Sequence, residues 1–227
     1  MLIDKPIGWT SFDVVNKVRH TIAAAENVRP KTLKVGHTGT LDPLATGLLV
    51  ILVGKTYTRQ ADMLSKQDKT YIVTATLGQT STTGDDEGVK TLISEQRPAR
   101  VDIEHACKRF TGDIMQKPPI YSAIKVDGKR AYDLARSGKA IDLAARQVTV
   151  HAIQLIRYEY PNLEFSCAVS SGTYIRSLVE DIGDFLSVGA YVSALRRTSI
   201  GCFNLDAAID GSALTAEKIA QNIQPKK

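Results

Sequence analysis

Gly36-His37-Thr38-Gly39-Thr40-Leu41-Asp42-Pro43-Leu44-Ala45-Thr46-Gly47 runs directly into Leu48-Leu49-Val50-Ile51-Leu52-Val53. The apolar run has the length of a buried strand and is closed by Gly54. Asp42 precedes Pro43, a position biased away from helix. The nearby glycines permit tight turning and the close approach of another molecule to the backbone. A lone carboxylate on a loop anchored to a buried strand suits a nucleophile or a general base. The plain alternative is an Asx-type turn leading into a strand, because Asp-Pro turns are common.

The elements around this stretch follow from patterning. Leu2-Ile3 reads as a short strand. Thr10 or Ser11 can cap a helix over 12–25 with Val14, Val15, Val18 and Ile22 on one face. A basic loop leads to the Asp42 segment, and a short helix is predicted over Thr56 to Ser65. Tyr71 to Leu77 is strand-like, and Gly78 to Gly88 reads as a surface loop. Further expectations are a helix over Asp102 to Phe110, a strand over Tyr121 to Val126, a turn at Asp127-Gly128 and a helix over Ala131 to Ser137. Val148 to Tyr158 and Leu163 to Ser170 should form a hairpin across Tyr160-Pro161-Asn162. Thr173 to Leu186 is the clearest amphipathic helix, with Ile175, Leu178, Val179, Ile182 and Leu186 on one face. A strand near Tyr191 to Ser199 and a helix within Ser212 to Ile223 complete the chain. Strands and helices mix without a regular βαβ rhythm, which predicts an α+β fold on one large mixed β-sheet flanked by helices.

A chain of 227 residues can bury a full core, and 43% hydrophobic residues exclude a disordered one. Leu48 to Val53 is far too short to span a membrane. The start, Met1-Leu2-Ile3-Asp4-Lys5-Pro6, sets an acid and a proline where a signal peptide needs apolar residues. A cytoplasmic protein is expected. Cys107, Cys167 and Cys202 form no C-x-x-C pair, and His20, His37, His105 and His151 have no H-E-x-x-H spacing, so no metal site is expected. The net charge of +5 favours a polyanionic partner. Basic residues cluster at Arg29-Pro30-Lys31 with Lys34, at Lys125 to Arg130 and at Arg196-Arg197.

Several further segments bear on chemistry. Lys69-Thr70-Tyr71 opens a strand. Its tyrosine could simply pack, or could stack on an extruded base and offer its hydroxyl for proton transfer. Ser171-Gly172-Thr173-Tyr174-Ile175-Arg176 enters the amphipathic helix with Thr173 as the expected N-cap. Arg176 then sits in the first turn, where a cation opposes the helix dipole. It either pairs with Glu180 four residues on or aims a guanidinium at a carboxylate or phosphate. Lys117-Pro118-Pro119-Ile120-Tyr121-Ser122-Ala123-Ile124-Lys125 is a proline-stiffened entry to a strand. Leu195-Arg196-Arg197 lies on a strand, where a leucine is ordinarily core.

Together these segments resemble the TruB-type tRNA pseudouridine synthases. The opening dodecamer meets every fixed position of that family's G-H-T-G-x-L-D-P-x-A-T-G motif. Lys69-Thr70-Tyr71 matches its K-x-Y, and Gly172 to Arg176 its G-T-Y-I-R. Lys117 to Gly128 is similar to K-x-P-x-Y-S-A-x-K-x-x-G, followed by Y-x-x-A-R at Tyr132, Ala135 and Arg136. Leu195-Arg196-Arg197 matches L-R-R, and Asp4-Lys5-Pro6 a D-K-P motif of structural character. The match covers residues 1 to about 205, in the family's order. One departure is Ser81-Thr82-Thr83, where the family usually reads T-D-T; only local conformation is expected to change.

The resemblance implies a pseudouridine-synthase-type catalytic domain over 1–205 and a short C-terminal helical tail over 206–227. The RNA-binding PUA-type domain of many bacterial relatives is not expected. The implied activity is isomerisation of uridine 55 in the T loop of tRNA to pseudouridine, after the base has been flipped out. Asp42 is implied as the catalytic carboxylate, either attacking the nucleotide or abstracting a sugar proton. Tyr71 is implied to stack on the base and move a proton, and Arg176 to hold Asp42 ionised. His37, Tyr121, Ser122, Lys125, Tyr174 and Leu195 are implied in substrate binding. No cofactor is implied, because the reaction needs neither redox change nor group donor. The expected partner is the T arm of tRNA, met by a monomer with no obligate protein partner. Two other readings stay open: a guide-dependent pseudouridine synthase that needs partner proteins, and a non-catalytic tRNA-binding module on the same fold.

Overall fold

The computed structural model describes residues 1–122, 125–126, 129–130 and 143–223. In chain order the main elements are β1 (Leu2–Lys5), α1 (Ser11–Ala25), β2 (Val35–Thr38), β3 (Thr46–Val53), α2 (Lys55–Thr58), α3 (Ala61–Ser65), β4 (Lys69–Leu77), β5 (Gln79–Ser81) and β6 (Lys90–Leu92). There follow α4 (Arg100–Arg109), β7 (Gly112–Gln116), β8 (Lys125–Val126), β9 (Lys129–Arg130), β10 (Arg146–Glu159), β11 (Asn162–Val169), α5 (Ile175–Phe185), β12 (Ala190–Ile200), β13 (Phe203–Asn204), β14 (Ile209–Asp210) and α6 (Ala216–Asn222). The class is α+β, with a large mixed sheet flanked by helices. The chain forms two compact units, one of Met1–Tyr71 with Leu195–Lys227 and one of Ile72–Ala194.

In the first unit β3 is the central strand. It runs antiparallel to β1 on one edge (Leu2↔Val50) and antiparallel to β2 on the other (His37↔Ile51). Farther toward its start it runs parallel to β12 (Arg197↔Gly47). The unbroken apolar run of β3 is explained by burial on both faces. Leu49 and Ile51 pack with Ile3, Val35, Leu214, Ile219 and the α1 residues Val14, Val15, Val18 and Ile22. Leu48, Val50 and Leu52 pack with Ile200 on the opposite face. Helix α1 starts where expected: Thr10 caps it, the Asp13 N–H donating to the Thr10 hydroxyl and the Asp13 carboxylate accepting from the Thr10 N–H. The segment after Leu205 belongs to this unit. Its β14 runs parallel to β1, and Ile219 of α6 is buried with the α1 face.

In the second unit the long hairpin β10–β11 turns at Tyr160-Pro161 (Glu159↔Asn162). Strand β7 flanks β10 (Val148↔Ile114), and β4 flanks β11. Helix α5 buries Ile175, Leu178, Val179 and Ile182, the face expected from their spacing.

Several local expectations change. Gly36-His37-Thr38 is strand rather than loop, because β3 supplies a pairing edge that no local pattern announces. Thr56 to Ser65 is two short helices, α2 and α3. The Thr-Tyr-Thr run there has weak helix propensity, and the chain turns at Gln60, whose N–H bonds Tyr57 C=O. Residues 79–81 leave the predicted loop to pair with β6. Of the strand predicted over Tyr121 to Val126, Lys125–Val126 is strand, Tyr121 and Ser122 are not, and 123–124 lie outside the described residues. The Asp127-Gly128 turn, the Ala131 to Ser137 helix and Tyr132, Ala135 and Arg136 lie outside the described residues. Helix α5 is capped at Tyr174, not Thr173.

Candidate active site

In the first unit the chain between β2 and β3 carries Asp42, and both neighbours of Asp42 are pinned. The Ser11 hydroxyl accepts the Leu41 N–H at 2.8 Å and donates to Leu41 C=O at 3.1 Å. On the other side Pro43 C=O accepts from the Gly8 N–H at 2.9 Å and from Lys5 Nζ at 3.4 Å. Lys5 is fully buried, and its ammonium also donates to Pro6 C=O at 2.9 Å and Trp9 C=O at 2.6 Å. A buried cation persists only when such bonds replace its water. The Asp42 turn itself is closed by main chain, Ala45 N–H to Asp42 C=O at 3.0 Å. The D-K-P segment and the first residue of α1 thus fix the backbone on either side of this carboxylate.

The glycines of the dodecamer have particular reasons. Gly47 has φ +101, and a Cβ there would lie 2.3 Å from Arg197 O, so the parallel approach of β12 requires it. Gly39 has φ +77 and lies over two cationic side chains: an added Cβ would sit 3.4 Å from Lys69 Cε and 3.5 Å from Arg197 Nη1. Arg197 is buried, donating to Leu48 C=O at 2.8 Å and Gly39 C=O at 3.0 Å. Lys69 donates to Ser65 C=O and Gln67 C=O at the end of α3. Burial, aided by the Arg197 charge, pulls Lys69 down to about 8. Burial first, and Arg197 second, also lower His37, favouring a neutral imidazole. Tyr71 and Leu195 are both buried in this unit.

The second unit holds Arg176 in a cage of its own. Its Nη1 donates to Thr83 C=O at 2.9 Å, its Nη2 donates to Tyr121 C=O at 2.8 Å, and Nη1 lies 3.4 Å from Asp85 Oδ2. Asp85 in turn accepts from the Thr83 hydroxyl at 2.5 Å and the Glu87 N–H at 3.1 Å. The start of α5 is held by buried Gln116, whose amide donates to Tyr174 C=O at 3.0 Å and accepts from the Tyr174 N–H at 2.8 Å. Thr173 instead donates its hydroxyl to Ser170 C=O, which is why the cap falls one residue later. Ser122 is buried in the same unit.

The same helix carries Glu180, whose carboxyl is pushed up to about 7, mainly by burial, with Arg176 opposing and Asp181, Asp184 and Asp85 assisting. A carboxyl raised on folding binds protons more tightly in the native state. Its contribution is fully present below the ordinary value of 4.5 and is lost as pH rises through about 7. Glu180→Gln is therefore expected to melt near the parent at pH 4.5 and a few degrees above it at pH 8. Thermal melts of both chains across this range check it; an offset that does not change with pH rejects this account of Glu180.

Of the expected site residues, the first unit gathers His37, Asp42, Tyr71 and Leu195, and the second gathers Tyr121, Ser122, Tyr174 and Arg176. Lys125 lies on β8, and its side chain is outside the described residues. Asp85 and Gln116 were not anticipated. The departure at Ser81-Thr82-Thr83 reaches beyond local conformation, because Thr83 and Asp85 hold Arg176. The Arg176 charge opposes the rise of Glu180, and Arg176 pairs with Asp85 at 3.4 Å. In the Arg196-Arg197 cluster Arg197 is buried, whereas Arg196 makes a bidentate pair with Asp4 at 3.2 and 2.6 Å and stays 41% exposed. Among the described residues, no three His, Cys, Asp or Glu side chains gather as metal ligands.

Comparison with known proteins bears on both units. The model of the TruB family pseudouridylate synthase N-terminal domain matches residues 26–175. That of the tRNA pseudouridylate synthase B C-terminal domain matches residues 176–226. A tRNA pseudouridine synthase B from Flavobacterium johnsoniae is 42% identical over 214 residues, covering 92% of this chain and 91% of the relative. One from Chlamydia abortus is 43% identical over 215 residues, covering 94% and 87%. Among solved structures, a chain of a Cbf5-Nop10-Gar1 complex superposes with a TM-score of 0.67 at 31% identity, covering 92% of this chain. A chain of an H/ACA RNP bound to a substrate RNA containing 2′-deoxyuridine gives 0.64 at 28% identity. This chain spans 51% and 50% of those two solved chains.

Proposed function

This chain belongs to the TruB family of pseudouridylate synthases, and from that premise we propose that it isomerises uridine 55 in the T loop of tRNA to pseudouridine. The observation that carries the reading is Asp42 within a complete family motif, its backbone held on both sides by Ser11 and by Lys5 with Gly8. Such positioning before substrate arrives is what catalysis by a single carboxylate needs. Asp42 starts the exchange, by attack on the nucleotide or by removal of a sugar proton. Arg176, caged by Asp85, Thr83 and Tyr121, is the residue that the family motif G-T-Y-I-R assigns to holding the carboxylate ionised. Tyr71 stacks on the flipped base and passes the C5 proton. The bond from C1′ to N1 breaks, the base rotates, and a bond from C1′ to C5 forms. Atoms balance without a group donor.

His37, Tyr121, Ser122, Lys125, Tyr174 and Leu195 complete the substrate-binding set. Two of them support this chemically: His37 Nδ1 and Ser122 Oγ are buried with no hydrogen-bond partner among the described residues, which leaves them available to a ligand. The enzyme is proposed to work in the cytoplasm as a monomer, gripping chiefly the T arm through its catalytic domain, 1–205, with 206–227 as a tail. Among the described residues no helix is long and apolar enough to cross a membrane.

The test is nucleoside analysis of an unmodified tRNA transcript after incubation with the purified chain alone. Pseudouridine at position 55 is expected. Product only after guide RNA or protein partners are added would instead favour the guide-dependent reading; the similar Cbf5 chain is found in a complex with Nop10 and Gar1. In the same assay Tyr71→Phe should bind RNA as the parent does and turn over about 10²-fold or more slowly, since only the hydroxyl is lost. Parental turnover by Tyr71→Phe would leave the ring a stacking role and remove the proton-transfer role.

A further inference from the structure

Helix α1 presents a second aromatic surface that none of the roles above uses. Phe12, Asn16 and Arg19 recur at helical spacing, so they share one face of α1. Phe12 is 58% exposed. The Arg19 guanidinium lies 5.8 Å from the Phe12 ring centroid. It is held there by Asn16 Oδ1 at 2.8 Å and by Val35 C=O at 3.3 Å. A single exposed apolar side chain needs no explanation. An exposed ring with a fixed guanidinium beside it does, because anchoring Arg19 costs side-chain entropy. The exposed Phe185, by contrast, has an aromatic neighbour, meeting Phe110 edge-on at 6.0 Å.

The face is tied to the catalytic loop at both ends. Ser11, the residue before Phe12, makes the two hydrogen bonds to Leu41 that adjoin Asp42. Arg19 bonds the strand that carries His37 two residues after Val35. Between α1 and β2 the chain adds exposed Arg29, Lys31 and Lys34, a positive border for phosphates. Apolar ring, planar cation and flanking positive charge suit an unpaired nucleobase with its backbone more than they suit a protein surface.

We propose that Phe12 and Arg19 form a stacking shelf for an unpaired base of the substrate RNA, a nucleotide of the same loop as the target uridine but not the target itself. Arg19 acts as the positioning residue that holds the ring and faces the neighbouring phosphate. The inference rests on the tRNA reading above. It adds a contact that orients the loop before the target base is flipped, so it acts on substrate engagement and not on the chemical step.

The test uses the full chain and a T-arm stem-loop RNA. Phe12→Ala should raise KM about 5- to 150-fold, the loss of one base–aromatic stack, with kcat within about twofold. Phe12→Trp should restore KM, and Phe12→Leu should not, although it keeps apolar bulk and covers the case in which Phe12→Ala fails to fold. Stem-loops with an abasic site at each unpaired position identify the stacked base. At that position the KM penalty of Phe12→Leu should vanish, because the parent has already lost the contact. Parental KM for both Phe12→Ala and Phe12→Leu, or a penalty indifferent to every abasic site, overturns the shelf. If the parent itself makes no pseudouridine in the stem-loop or in whole tRNA, the underlying reading fails and the shelf falls with it.

Discussion

Asp42→Asn is expected to reduce pseudouridine formation by at least about 10³-fold while tRNA affinity stays within several-fold of the parent. The substitution replaces a carboxylate with a near-isosteric amide that can neither attack nor take a proton. It leaves the surroundings intact, because the backbone at residues 41, 42 and 43 is held by Ser11, Ala45, Gly8 and Lys5 through main-chain atoms of the loop. RNA affinity resides mostly in phosphate and sugar contacts, which an anionic carboxylate does not supply. The checks are single-turnover conversion and filter binding on the same tRNA preparation. Near-parental turnover by Asp42→Asn would remove Asp42 from the reaction and favour a tRNA-binding module that keeps the fold without its chemistry.

Asp85→Ala should be the most destabilising single change at the site, by about 3–5 kcal/mol, and should also lower kcat by about 10²-fold or more. The side chains of Arg176 and Asp85 are only 7% and 5% exposed. Removing the acid leaves a guanidinium in a poorly solvated place, and breaking such a pair costs far more than the pair contributes over an apolar replacement. In a domain of this size that corresponds to about 6–20 °C in melting temperature. Arg176→Met combined with Asp85→Leu removes both charges and should recover most of the melting temperature while remaining inactive. Stability and catalysis would then separate: the pair is dispensable for the fold, and the guanidinium is indispensable for turnover. A double variant with substantial activity would contradict the role proposed for Arg176. An Asp85→Ala chain that melts with the parent would contradict the buried pair.

Much of this molecule is readable along the chain because the relevant physics is local. The period of Val14, Val15, Val18 and Ile22 announces the buried face of α1, and that of Ile175, Leu178, Val179 and Ile182 announces α5. The Thr10–Asp13 spacing announces a capping box. The unbroken run of β3 announces a strand covered on both sides. Asp42, Tyr71 and Arg176 stand in motifs specific enough to be singled out without coordinates.

Other features depend on partners distant in sequence, and no local pattern encodes them. His37 lies on a strand only because β3 offers it an edge. The neighbours Arg196 and Arg197 look alike in sequence, yet folding buries Arg197 against the Leu48 and Gly39 carbonyls and leaves Arg196 half-exposed beside Asp4. Lys5 resembles any surface lysine until folding buries it against three carbonyl groups beside the Asp42 loop. The sequence by itself therefore determined the fold class, the main helices and which groups are proposed to react, since periodicity and motif are properties of neighbouring residues. Tertiary structure alone decided how those groups are held. Burial turns charge into a liability that specific carbonyls and carboxylates must offset, and only folding brings Asp85 to Arg176, Ser11 to Leu41 and Lys5 to Pro43.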